Sequence, residues 1–169
     1  MENQHNLGGI FIMIKILFVC HGNICRSPMS QFVMQDLVNK KNLTSHFYID
    51  SAATSTEELG NGVHYGTRGK LKEMGIPVLN HRATQLKRSD YDQYDYIIGM
   101  DQWNQKNMLR ILGKDPENKV SLLLDFTAHP RDIADPWYTG NFDVTYDDVL
   151  EGCEALLAHI LQEDSDRLY

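Results

Sequence analysis

The chain has no apolar run approaching the roughly 18 residues that a membrane-crossing helix needs, and it is short of positive charge. Lys and Arg number 16 against 23 Asp and Glu, a net charge of −7. The first absence argues against membrane insertion. The second disfavours nonspecific binding to nucleic acid or to an anionic membrane surface, because both depend on neutralising phosphates with basic side chains. Cysteine is also scarce, at three, and the N-terminal IFIMIKILFV is a poor signal peptide: Lys15 interrupts it, no basic segment precedes it and no small-residue cleavage site follows. Thiols in such a chain are expected in a reducing compartment, the cytoplasm, as reactive groups or as small core residues. Proteins or small molecules are the expected partners, and a monomer the expected state.

What is present is an ordinary globular composition, 42% hydrophobic and 23% charged, in 169 residues, enough for one core. Residues 1–13, with a polar start, a Gly-Gly pair and a second methionine at Met13, read as a flexible extension, either a tag or an upstream start. The domain is expected over 14–165, with a tail at 166–169. From Ile14 onward, apolar runs of strand length alternate with longer amphipathic stretches, the pattern of βαβ units and a mainly parallel sheet. Four strands are predicted: 14–19, 46–52, 94–100 and 120–126. Helices are predicted over 27–40 (Ser27 as N-cap and Pro28 at the first helical position), through 66–75, after Met100, and over 146–164. Stretches 52–66 and 127–142 read as surface loops, where α/β proteins bind ligands.

The densest chemistry lies in VCHGNICRSPMS, 19–30. A strand running into a tight loop and then a helix start presents unsatisfied N–H groups and a partial positive charge to an anion. Gly22 and Asn23 tolerate the left-handed backbone that such a loop needs. Arg26 adds a planar fork for two phosphate oxygens. Cys20, at the floor, is placed where that field favours a thiolate nucleophile. The C-x5-R spacing alone is a weak signal; the strand before it and the Ser-Pro helix start after it give it weight. Zinc at Cys20 and Cys25 beside His21 lacks a second ligand pair downstream, so neither a metal nor another cofactor is expected. A Cys20–Cys25 disulfide remains plausible as a protective state. A leaving alkoxide or phenoxide needs a proton, and Asp135, before Pro136, Trp137 and Tyr138, is the candidate acid on a loop.

With DSAATS at 50–55, Met100-Asp101 and DPWY at 135–138 following in order, the chain resembles the low-molecular-weight protein tyrosine phosphatases over about residues 14–163. The resemblance implies a single-domain, doubly wound α/β fold, a four-stranded parallel sheet with helices on both faces. It implies catalysis by Cys20, Arg26 and Asp135, and a phosphate-binding loop of His21, Gly22, Asn23, Ile24, Cys25, Arg26 and Ser27, with the Ser27 hydroxyl stabilising the thiolate. Asn23, Ser51 and His81 are expected to brace the loop, Asp101 to orient the arginine, and Cys25 to guard the nucleophile against oxidation. Trp137 and Tyr138 would form the aromatic part of the substrate wall, and Glu57 is expected to line it as well. The implied reaction is metal-independent hydrolysis of phosphotyrosine through a phosphocysteine.

Two positions depart from the family pattern, and both are expected at the mouth of the site. Thr56, Glu57 and Glu58 stand where an aromatic or apolar residue is common, and His21 stands where a smaller or apolar one is. An acidic rim there would repel acidic phosphopeptides. Among rivals, an arsenate reductase needs a further relay cysteine, and only Cys153 remains, on the apolar face of the last helix. Protein-arginine phosphatases typically carry Thr where Ile24 stands and lack the double aromatic after Asp-Pro. A binding module without turnover would not need Cys20, Arg26 and Asp135 together.

Overall fold

The computed structural model describes residues 6–7, 10–11 and 13–165. Four parallel strands form the sheet: β1 (Ile14–Cys20), β2 (Phe47–Ala53), β3 (Tyr96–Gly99) and β4 (Val120–Leu122), in the order β2-β1-β3-β4. Helices α1 (Arg26–Lys40), α2 (Tyr65–Glu73), α3 (Gln102–Leu112) and α4 (Phe142–Glu163) pack around it.

The period-2 geometry of β1 explains why both faces are covered. Ile14, Ile16, Phe18 and Cys20 belong to the core shared with α1 and α4, whereas Leu17 and Val19 belong to a second core with Met108 and Leu112 of α3. Central β1 is therefore apolar at nearly every position, and its C-terminal end carries Cys20 out of the sheet beside the point where the strand order reverses. In doubly wound sheets that crevice is where ligands bind.

Several boundaries differ from the sequence reading. Helix α1 begins at Arg26, with Cys25 at the cap position and no side-chain cap, so Ser27 is not the N-cap and Pro28 is the third helical residue. The Ser27 hydroxyl is engaged elsewhere, accepting from Asn23 Nδ2 at 2.7 Å. Strand β4 stops at Leu122, because Asp125 Oδ2 accepts the Leu122 N–H at 2.9 Å and draws Leu123–Phe126 into a 3-10 turn. Helix α4 starts four residues earlier than predicted, capped by Asn141, whose Oδ1 accepts the Val144 N–H. The predicted loop at 127–142 also contains a single helical turn, Pro136–Thr139. Of the N-terminal extension, Asn6–Leu7 pairs antiparallel with Ile10–Phe11; the rest of residues 1–12 and the 166–169 tail lie outside the described residues.

Candidate active site

Cys20 is the last residue of β1, and the chain then turns back over itself to enter α1 six residues later. Asn23 makes the turn: its φ is +59°, the left-handed region that Asn enters more readily than most residues. Gly22, expected to share that role, does not have a positive φ. It matters by proximity instead, since a Cβ there would lie 3.3 Å from Cγ of Glu58.

The loop is held open by its carbonyls. The Cys20 carbonyl accepts from Thr54 N (2.9 Å), His21 from Ser55 N (3.0 Å) and Ile24 from His64 N (2.9 Å). The Cys25 carbonyl takes the Thr67 hydroxyl (3.2 Å), and the Asn23 carbonyl takes Nε2–H of His81 (2.8 Å), which fixes that tautomer. With the carbonyls tied outward, the N–H edge of the loop is turned to the cavity, a concave cradle for an anion. Asn23 pins the turn further, its Oδ1 accepting from Thr84 N at 3.1 Å.

Inside the cradle, the Cys20 sulfur accepts from the Asn23 N–H at 3.3 Å and lies 3.1 Å from Oγ of Ser27. Arg26 is 3% exposed. Its Nη1 donates to Asp101 Oδ2 (2.6 Å) and to the Ile133 carbonyl (2.8 Å), while Nη2 reaches Asp135 Oδ2 at 3.4 Å. Burial pulls its pKa down, but the Cys20 sulfur, Asp101 and Asp135 outweigh that and leave it raised. The guanidinium thus stays charged. Asp101 also caps α3, accepting the Asn104 N–H at 2.7 Å, so one carboxylate sets both the helix start and the arginine.

Asp135 divides its oxygens similarly. Oδ1 caps the Pro136–Thr139 turn through the Trp137 N–H (3.0 Å), and this aims Oδ2 at Arg26. Trp137 and Tyr138 project from that turn, 57% and 83% exposed. Together with Cys20, His21, Arg26, Glu57 and Glu58, these residues enclose a cavity of about 100 Å3.

The structure separates the two loop cysteines. Burial, reinforced by the Cys20 and Asp135 charges, pushes the Cys25 thiol up to about 12, so it is a neutral group at ordinary pH. Cys20, Cys25 and Cys153 are all free thiols, and burial also pushes Cys153 up. Ser51 does not bond to the loop: its hydroxyl donates to Oε1 of Gln31 on α1 at 2.5 Å. Loop bracing falls instead to Thr54, Ser55, His64 and Thr67, which the sequence reading missed. His64 also stacks on Phe142 (5.4 Å) and meets Trp137 edge-on (5.6 Å), linking the loop brace to the aromatic wall. Locally it caps α2, its Nδ1 accepting the Gly66 N–H at 3.0 Å, and it stacks on Tyr65; its role at the loop is not marked in sequence, because Ile24, Trp137 and Phe142 are all distant. Among the described residues, no three His, Cys, Asp or Glu side chains gather as a metal set, and no helix is long and apolar enough to cross a membrane.

A comparison with known proteins agrees with this geometry. The family model for low molecular weight phosphotyrosine protein phosphatase matches residues 15–166. The chain is 40% identical over 153 residues to the Bacillus subtilis low molecular weight protein-tyrosine-phosphatase YfkJ, covering 89% of this chain and 98% of that protein. The crystal structure of YfkJ superposes with a TM-score of 0.87 over 89% of this chain and 96% of its own. A low molecular weight phosphotyrosine protein phosphatase of Rattus norvegicus is 39% identical, over 85% of this chain and 93% of the relative. The crystal structure of DARP, a drosophila arginine phosphatase, is 32% identical with a TM-score of 0.80, over 89% of this chain and 100% of that one. With a family model spanning nearly the whole domain and relatives this similar along their full length, the chain belongs to the low molecular weight phosphotyrosine protein phosphatase family.

Proposed function

We propose that the protein hydrolyses phosphotyrosine, in proteins or peptides, without a metal and through a phosphocysteine on Cys20. The observation that carries this reading is the meeting of a cysteine sulfur, an outward-tied loop and the Arg26 fork on one side of a cavity with the Asp135 carboxyl on the other.

The phosphate dianion enters the loop, and its oxygens take the amides and the Arg26 fork; the long Arg26–Asp135 contact at 3.4 Å gives way. The Cys20 thiolate attacks phosphorus, the bond from phosphorus to the phenolic oxygen breaks, and the Asp135 carboxyl gives its proton to that oxygen. In the second step Asp135, now a carboxylate, takes a proton from water as the water oxygen attacks phosphorus. The S–P bond breaks, the sulfur leaves as a thiolate steadied by the Ser27 hydroxyl and the Asn23 N–H, and phosphate departs. Cys25, a neutral thiol beside Cys20, would serve as the partner for a protective disulfide: a peroxide oxidises Cys20 to the sulfenic acid, which condenses with the Cys25 thiol and releases water.

Similarity extends to an arginine phosphatase as well, so the leaving group must be argued from the cavity. Ile24 in the loop and the Trp137–Tyr138 wall support an aryl group over a guanidino group. The net charge of −7 and three free thiols support a cytoplasmic protein that does not bind nucleic acid, and we take it to act as a monomer. Turnover of phosphotyrosine, phosphoserine and phosphoarginine by wild type and Cys20→Ser tests the whole reading. Phosphotyrosine should be cleaved well ahead of the other two, and Cys20→Ser should be inactive; a variant as active as wild type removes the phosphocysteine.

A further inference from the structure

A second cleft, about 480 Å3, lies between the 62–68 and 78–82 segments. Arg68 and Arg82 line it, and neither forms an ion pair among the described residues. Each makes one long bond to a backbone carbonyl, Arg68 Nη2 to Val63 and Arg82 Nη1 to Gly60, both 3.5 Å. Lys70, by contrast, pairs with Glu73 and Asp143, and Arg131 with Asp148 and Glu151. No carboxylate lines the cleft, in a chain with 23 of them.

The two guanidinium groups also converge. A Cβ on Gly62 would lie 3.8 Å from Arg68 Nη2, from Arg82 Nη1 and from the His81 carbonyl oxygen, so both guanidinium groups reach one point beside the backbone. Like charges brought to one place without a counter-charge repel, and guanidinium forks match the oxygens of a phosphate. The cleft has the size of small-molecule sites, and Val78 and Leu79 give it an apolar side. His81, which also lines it, donates to the Asn23 carbonyl of the catalytic loop.

We propose that this cleft binds the phosphoryl group of a small phosphorylated molecule between Arg68 and Arg82, with the organic part against Val78 and Leu79. Its lining shares no residue with the catalytic cavity, and His81 links it to the catalytic loop.

The test is calorimetric titration of adenosine monophosphate and of inorganic phosphate into protein whose Cys20 has been carboxymethylated with iodoacetate, which fills the catalytic loop covalently and leaves the arginine cleft open; turnover is measured on the unmodified protein. Wild type should show one saturable site. Arg68→Gln and Arg82→Gln should each weaken it tenfold or more, and the double variant should show no binding, while its turnover of p-nitrophenyl phosphate stays at the wild-type level. Adenosine monophosphate binding tighter than phosphate supports the organic contact; equal binding overturns that contact and leaves free phosphate as the occupant. No binding to wild type, or the same binding to the double variant, overturns the site. If carboxymethylation of Cys20 fails to abolish turnover, the catalytic reading fails, and the dependence on Arg68 and Arg82 still decides the cleft.

Discussion

Nε2 of His21 lies 3.1 Å from Oε2 of Glu57, joining the residue after the nucleophile to the loop that borders the cavity mouth. The same loop is tied to His21 by its backbone, the Ser55 hydroxyl donating to the His21 carbonyl at 2.9 Å. The His21 side chain therefore belongs to the rim, while its backbone is part of the anion cradle. Glu57 remains 68% exposed on its side chain, with Glu58 beside it on the cavity wall.

A rim of this kind favours phosphotyrosine flanked by basic residues. Exposed charges are each worth about 0.2–1 kcal/mol, so kcat/KM for Arg-flanked over Glu-flanked phosphopeptides should be about two- to fivefold higher at low salt. The preference should shrink in high salt and in a Glu57→Gln, Glu58→Gln double variant. A ratio that ignores both changes would show that the rim does not read the peptide.

Asp135→Asn keeps an oxygen to cap the Trp137 N–H and so leaves the aromatic wall in place, yet it has no proton to give. Loss of a general acid costs about 10²–10⁴-fold, and the loss should fall on phosphotyrosine. Esters with better leaving groups, which need less protonation, should suffer less. Equal losses across a leaving-group series measured by steady-state kinetics would reassign the acid.

Cys25 ties stability to alkaline pH. Its folded pKa, about 12, is raised above the ordinary value of 9.0, so the folded state holds a proton that the unfolded chain releases. The stability this group contributes is fully present below about 9 and declines as pH rises from there toward 12. Urea melts of wild type and Cys25→Ala across that window should diverge, the variant losing stability less steeply. Parallel curves would mean that the thiol is not held neutral by its surroundings.

Gly152 on α4 packs directly on the 3-10 turn, where an added Cβ would lie 2.5 Å from Cγ of Leu123. Alanine would gain about 1 kcal/mol of helix propensity against an overpacking cost of about 1–3 kcal/mol. Gly152→Ala should thus be destabilised by up to about 2 kcal/mol in chemical denaturation. A more stable variant would show that α4 can move away from Leu123 freely.

The legible parts were those written locally. β1 could be read because its apolar residues serve two cores, and the nucleophile and arginine because strand end, turn and helix start fall within a dozen residues. Asp135 announced itself through Pro136 and two aromatics. What stayed hidden depends on distant partners. Ser27 looked like a cap from its neighbours, but its hydroxyl is spent on Asn23 Nδ2 and the Cys20 sulfur. The end of β4 is set by one carboxylate, Asp125, reaching back three residues. His64 and Thr67 hold the loop from the start of α2, about forty residues downstream, and nothing near them in sequence says so.

The carbonyls of the loop are tied to Thr54, Ser55, His64, Thr67 and His81, all supplied by chain that follows β2. The strand and helix that flank the nucleophile could form early, from contacts near in sequence, and still grip nothing. The anion cradle exists only where a segment some thirty to sixty residues downstream has docked, which makes chemical competence depend on long-range contacts and lets turnover report on the order of the whole domain.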